Sequence, residues 1–233
     1  PDGIFQVGNK FSKVIRFSDI NYAIASKEDK TAMFLDYSEL INSLDAGATT
    51  KITINNKRIN RKDFEQSILL KKDGGSLDAY REEYNQMLLG KVTASTNSVI
   101  QERYLTISVH KRSIEEARAF FSRAANEAIS HLNHLGAHCE ELDAAERLRT
   151  LHDFYRPGEE AGFRFDIRET MRKGHSFKDY ICPDSIEFQK DHFVMGNKFG
   201  RVLFLKEYAS FIKDSMIAEL TELNRSLMLS IDV

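Results

Sequence analysis

The chain has 233 residues, 42% hydrophobic and 29% charged, with a formal net charge of −2. This composition excludes disorder as the default and gives enough chain to bury a real core, in one large or two small domains. There is no global basic excess to grip nucleic acid, and no apolar run approaches the roughly 20 residues that cross a bilayer. Two cysteines, Cys139 and Cys182, make no disulfide framework and point to a reducing compartment.

The first element predicted is a β-hairpin over Ile4 to Asp19, built on Gly8-Asn9 between apolar strand-forming residues. A helix follows. Ser26 is its N-cap with Asp29 three residues on, Met33, Tyr37, Leu40, Ile41 and Leu44 form its apolar face, and Asp45-Ala46-Gly47 ends it. Lys51 to Asn55, KITIN, is a strand. Residues 60–98 read as a helical insertion: Asn60 caps a short helix with Phe64, Ile68 and Leu69, and Lys71-Lys72 with Gly74-Gly75 stops it. Ser76 caps a second helix with the stripe Leu77, Tyr80, Tyr84 and Leu88, and Thr93 to Ser98 is a polar loop.

Arg103 to Val109 alternates as a strand. Ser113 and Glu116 form a capping box for a long helix that buries Ile114, Ala117, Phe120, Phe121, Ala124, Ala128 and Leu132 and stops at Gly136. Ala137 to Leu142 is a short strand. Asp143 and Glu146 then cap a helix through Leu148, Leu151 and Phe154. The order strand-helix-strand, strand-helix-strand predicts an α+β domain over residues 1–155, a ferredoxin-like split βαβ arrangement with the insertion between its halves and helices on one face of a largely antiparallel sheet.

Residues 156–182 read as a linker (Tyr155 to Phe163) and a polar, moderately helical segment (Phe165 to Tyr180). Residues 183–233 return to the beginning. Phe193 to Leu203, FVMGNKFGRVL, repeats Phe5 to Ile15, FQVGNKFSKVI. Ser12/Gly200, Lys13/Arg201 and Ile15/Leu203 are chemically similar pairs around the shared GNKF. Both copies lead into an amphipathic helix, the second through Tyr208, Phe211, Ile212, Ile217 and Leu220, and then a strand, the second being Leu227 to Ile231. We read one hairpin-helix-strand unit used twice, preceded in its second use by a strand at Ile186 to Gln189. The chain opens Pro1-Asp2-Gly3 without Met and stops at the end of the second unit's strand, so the expectation is an excised segment whose second unit is cut off from its continuation.

Chemistry is sparse. G-x-x-x-x-G-K-[ST] is absent: Gly90-Lys91 is followed by Val92, and Gly196 to Gly200 lies on a hairpin. His131, His134, His138 and Cys139 cluster in sequence, but their spacing fits no standard zinc pattern, and histidines suit a helix C-terminus. His110, His152, His175 and His192 are scattered. The pairs Glu82-Glu83, Glu115-Glu116, Glu140-Glu141 and Glu159-Glu160 lie at helix starts or exposed turns, where dipole complementation or solvation is the expected role. Lys111, Arg112, Arg118 and Arg123 make at most a modest basic strip, read as a solvated face. Phe120 and Phe121 fall in the apolar arc of their helix, and no RNP-like sequence occurs. The residues therefore nominate no catalytic, cofactor or metal site. A nucleic-acid-binding ferredoxin-like module and an enzyme with a pocket beside the insertion remain as competing classes.

FSKVIRFSDINY (Phe11 to Tyr22), EYNQML (Glu83 to Leu88), ERYLTISVHKRSIEEARAFF (Glu102 to Phe121), RTLHDFYRPGEE (Arg149 to Glu160) and KDYICPDSIEF (Lys178 to Phe188) resemble the N-terminal region of conjugation and type IV secretion ATPases of the TraC/TraE/TrbE kind. The form resembled is that of conjugative transposons of Gram-positive gut bacteria. The resemblance spans essentially the whole chain but contains none of the family's catalytic motifs. It implies a non-catalytic segment of an oligomeric motor whose ATP and Mg site lies in a RecA-like domain C-terminal to Val233, with no cofactor in the present residues. It also implies a cytoplasmic setting at the inner face of the membrane, with membrane-embedded channel proteins and other subunits of the same ATPase as partners. Direct DNA contact is left open.

Overall fold

A computed structural model describes residues 2–20, 22, 24–58, 69–94, 99–207, 209–211 and 213–233. β1 (Phe5–Val7) and β2 (Lys10–Phe17) form the first hairpin, followed by α1 (Lys27–Ser43) and β3 (Ala48–Arg58). Next come α2 (Asp78–Ala94), β4 (Val99–His110), α3 (Ile114–His134), β5 (Cys139–Glu141) and α4 (Ala144–Tyr155). A 3-10 turn (Glu160–Gly162), α5 (Ile167–Lys173) and α6 (Lys178–Ile181) lead to β6 (Ile186–Phe188), β7 (Phe193–Met195), β8 (Lys198–Gly200), α7 (Asp214–Thr221) and β9 (Leu227–Asp232).

The molecule is α+β. Its main sheet is antiparallel in the order β1-β2-β4-β3-β9, with β5 also on β2, and β6-β7-β8 make a second, three-stranded sheet. The odd-numbered Phe11, Ile15, Leu105, Ile107 and Val109 all point to one face, as a period of two requires, and the apolar faces of α1 and α3 cover them. Leu40, Ala117, Phe120, Phe121, Ala124, Ala125, Ala128 and Leu132 complete this core. Each large side chain buried there contributes about 1.5–3 kcal/mol. The run of alanines lets α3 lie close to the sheet while keeping high helix propensity.

The predicted caps Ser26, Ser113 and Asp143 form, whereas α2 starts only at Asp78, two residues after the predicted cap Ser76. Ser26 accepts from the Asp29 N–H, and Asp143 and Glu146 make a complete capping box. On α3 only half the box forms: Ser113 accepts from the Glu116 N–H, while the Glu116 carboxylate takes the Arg112 N–H.

Five elements differ from expectation. β3 and β4 run longer than 51–55 and 103–109, because their polar ends are paired rather than solvated. Asn56 donates to the Thr221 carbonyl at 2.7 Å, Gln101 donates to Asn56 Oδ1 at 3.0 Å, and Lys57 meets Glu102 at 2.8 Å. α2 extends past Gly90 through Thr93 and Ala94, and Leu77, Tyr80 and Tyr84 of its stripe are exposed. α7 starts only at Asp214, with an N-cap residue, Lys213, that offers no acceptor. β5 is limited to Cys139–Glu141 by its short overlap with β2. The helix predicted from Asn60 through Phe64 and Ile68, and residues 95–98, Tyr208 and Ile212, lie outside the described residues.

Helices also occupy more than one face. α4 lies over the side of the sheet opposite α1 and α3: Arg147 bonds Ser12, Glu146 approaches Arg16 at 3.5 Å and Asp153 approaches Lys57 at 3.5 Å. The second unit does not stand apart from the first, for β9 pairs with β3 from Lys51↔Asp232 to Asn56↔Leu227. Thr53 and Ser230 hydroxyls meet at 3.1 Å across that ladder.

Candidate functional site

Three places gather polar or exposed apolar side chains: the network under α4, the open end of the same sheet face, and the second GNKF unit.

Under α4, Lys57, Glu102, Tyr104 and Asp153 form a network that the sequence did not single out. The Tyr104 hydroxyl donates to Glu102 at 2.5 Å. Burial pushes the Glu102 carboxyl up, but hydrogen bonds from Lys57 and Tyr104 and the Lys57 charge outweigh it and leave the pKa lowered. Burial first, and then the bond to Glu102, raise that of Tyr104. Arg147 is half-buried here. It donates to Gly3 O at 2.8 Å, Ser12 O at 2.7 Å and Ser12 Oγ at 2.9 Å, and its guanidinium lies 3.9 Å from the Phe5 ring centre. Burial lowers its pKa to about 10, so it stays charged at neutral pH. These groups hold α4 to the sheet, and their polar atoms face one another rather than a cavity.

Beyond the end of α4 the same face opens as a cavity of about 270 Å³, lined by Lys10, Ser12, Thr49, Lys51, Thr106, Ser108 and Asp232 with Phe5 and Val7 at its rim. Lys51 is paired with Asp232 at 3.2 Å. The floor is hydroxyl-bearing, not aromatic, which offers no platform for stacking bases.

The residues weighed in the sequence are dispersed. His134 reaches Asp36 of α1 at 3.2 Å, the His138 N–H donates to Ser18 Oγ, and burial raises the pKa of the Cys139 thiol, disfavouring its thiolate. His152 is buried against Phe163 with Asp153 beside it at 3.3 Å, and His110, His175 and His192 each meet a different partner, Asn9, Asp179 and Asp191. Glu140 pairs with Arg16, Glu141 with Lys13 and Glu159 with Arg156. Glu82 pairs with Lys72. Arg118 is tied to Asp2, and Lys111 lies over the Phe120 ring. Among the described residues no group of three or more His, Cys, Asp or Glu is placed to hold a metal ion, and no helix is long and apolar enough to cross a membrane.

The second GNKF unit is different. Its hairpin has the same geometry as the first: Met195 faces Lys198 and Gly196 has φ 58°, as Val7 faces Lys10 and Gly8 has φ 61°. Only the glycine is left-handed, which is the pattern of a two-residue II′ turn and explains why Asn follows it without strain. Gly200, where the first copy has Ser12, is required by its neighbour: a Cβ there would sit 2.1 Å from the Phe193 ring. Arg201 fixes the hairpin to its flank through the Asp191 carbonyl at 3.0 Å and carboxylate at 2.9 Å. Arg156 ties the linker to Cys182 O and Asp184 ahead of β6.

Past Gly200 the two copies part. Phe11 and Ile15 are each 1% exposed, whereas their counterparts Phe199 and Leu203 are 79% and 83% exposed. Val202, Phe204 and Leu205 are exposed as well. No family model and no curated protein sequence matches the chain. The apolar run from Phe199 to Leu205 therefore stands on its own physics. Contiguous exposed apolar surface of this kind is typical of contact sites, and the hydrogen-bonded Asp191–His192 pair lies beside it, with the His192 ring 5.7 Å from that of Phe199. The sequence contained the signal for this surface, the repeat, but not its exposure.

Proposed function

We propose that this chain is the non-catalytic N-terminal interaction domain of a conjugation or type IV secretion ATPase, which docks the motor to membrane channel components and to neighbouring subunits. The observation that carries the reading is the exposed, largely apolar segment Phe199 to Leu205, a sequence copy of a strand whose Phe11 and Ile15 are buried in the first unit. The stretches that resemble that ATPase family supply the biological setting. The strand order β5-β2-β4-β3, with α1 and α3 as crossovers, supports a ferredoxin-like arrangement for the first unit. A rigid sheet fixed by α3 and α4 would present the second unit to its partner, and ATP and Mg would act in the parent chain, beyond Val233. The test is co-purification of the chain with the cytoplasmic parts of the transfer-channel proteins, beside an ATPase assay. Capture lost on Leu203→Asp, with hydrolysis at background, is expected. Robust turnover by the chain, or capture that ignores Leu203→Asp, would overturn the proposal.

A further inference from the structure

The register of the main sheet builds a polar floor on the face away from α1 and α3. Ser108 stands opposite Ser12 on one side and Thr49 on the other. Two residues along β4, Thr106 stands opposite Lys51, which in turn faces Asp232. Side chains alternate along each strand, so these residues share the face that Phe11, Ile107 and Val109 do not use. On β1 the same alternation sets Phe5 beside Ser12 and Val7 beside Lys10, at the rim of the cavity of about 270 Å³.

The polar groups here are not consumed by the fold. Among the described residues, no protein group hydrogen-bonds the hydroxyls of Thr49, Thr106 and Ser108, and no carboxylate meets the Lys10 ammonium or the Arg147 guanidinium. Arg147 reaches in from α4 behind Ser12 and Phe5, bonding the Ser12 hydroxyl oxygen at 2.9 Å and lying 3.9 Å from the Phe5 ring centre. Because that oxygen accepts from a cation, the Ser12 O–H is left to donate elsewhere and is polarised for it. Three positive charges, Lys10, Lys51 and Arg147, therefore stand at the cavity against one negative, Asp232, which is tied to Lys51 at 3.2 Å. Such a surplus in a partly desolvated recess attracts an anion.

We propose that this cavity binds the phosphate group of a small phosphate monoester. Hydroxyl and ammonium donors on several sides suit a tetrahedral group with three free oxygens better than a planar carboxylate. A monoester carries about −1.5 to −2 charges at neutral pH, which matches the positive surplus. Phe5 and Val7 then take the organic substituent. The segment Phe199 to Leu205 plays no part, so the site goes beyond the docking reading and stands without it.

Phenyl phosphate is the probe, titrated into the whole chain at constant ionic strength and followed by backbone amide chemical shifts. Saturable shifts centred on residues 10–12, 49–51 and 106–108 are expected, with inorganic phosphate moving the same amides more weakly and phenol moving none. Lys10→Met keeps the aliphatic stem, loses the charge and should weaken binding by about tenfold or more, the worth of a charge-assisted hydrogen bond. Thr106→Val combined with Ser108→Ala removes two donors and should weaken it as much. Neither change removes a group that bonds within the fold, so the urea midpoint should hold, and Leu203→Asp should leave phenyl phosphate binding intact. No saturation at millimolar concentrations, shifts centred elsewhere, or binding indifferent to both Lys10→Met and the double variant overturns the proposal. So does an oligothymidylate that displaces phenyl phosphate at lower concentration, because the occupant is then a nucleic-acid backbone. If phenyl phosphate binds while channel components are not captured, the docking reading alone fails. If capture is lost on Leu203→Asp as expected while phenyl phosphate moves no amide, the phosphate site alone fails.

Discussion

Truncating the same phenylalanine in the two copies of the repeat gives opposite results if one copy is packed and the other bare. Phe11 is 1% exposed, opposite Val109 in the ladder and inside the cluster formed with α3. Removing such a ring leaves a cavity as well as lost transfer free energy, a cost of about 3–5 kcal/mol. Phe199 is 79% exposed, with the His192 ring 5.7 Å away. Surface substitutions of this kind stay within about 0.5 kcal/mol. In urea unfolding monitored by circular dichroism, a slope near 2 kcal/mol/M converts a loss of about 4 kcal/mol into a midpoint shift of about 2 M for Phe11→Ala. Phe199→Ala should move the midpoint by about 0.25 M or less on the same scale. Equal shifts for the two variants would refute the reasoning, since the second strand would then be packed in solution.

Gly200→Ser, which restores the residue of the first copy, should loosen the β7–β8 hairpin because its Cβ meets the Phe193 ring; Phe193→Ala in the same chain should restore hairpin protection in amide exchange. Arg147→Met deprives the carbonyls of Gly3 and Ser12 of their shared donor and should cost about 1–3 kcal/mol in urea unfolding, the penalty of a stranded buried acceptor. Glu102 has a pKa below its ordinary value of 4.5, so its contribution to stability is present above pH 4.5 and is lost as the pH falls through the lower folded value. Glu102→Gln should flatten the acid limb of a stability-against-pH curve, and an unchanged limb would assign that limb to other groups.

The core was legible because its cause is periodic. Phe120, Phe121, Ala124 and Leu132 recur at helical spacing, and Leu105, Ile107 and Val109 at strand spacing, and each falls in the buried cluster. Asn56 was not legible as a strand residue, because the strand was read to end at Asn55; it is buried and satisfied by the Thr221 carbonyl, 165 residues away. The network of Lys57, Glu102, Tyr104 and Asp153 escaped because its members lie on three separated elements, and only the register of β3 against β4 and the position of α4 bring them together. The candidate surface was half legible. KFSKVIRF and KFGRVLFL announce the same strand, but burial depends on the pairing with β4 and the cover of α3 that the first copy has, which have no counterpart among the described residues of the second.

Hydrogen exchange on the whole chain, alone and with the cytoplasmic parts of the transfer-channel proteins, tests the docking claim most directly. Protection concentrated in residues 198–205 is the predicted result. Partner-induced protection confined to other surfaces, with these amides unchanged, would contradict it.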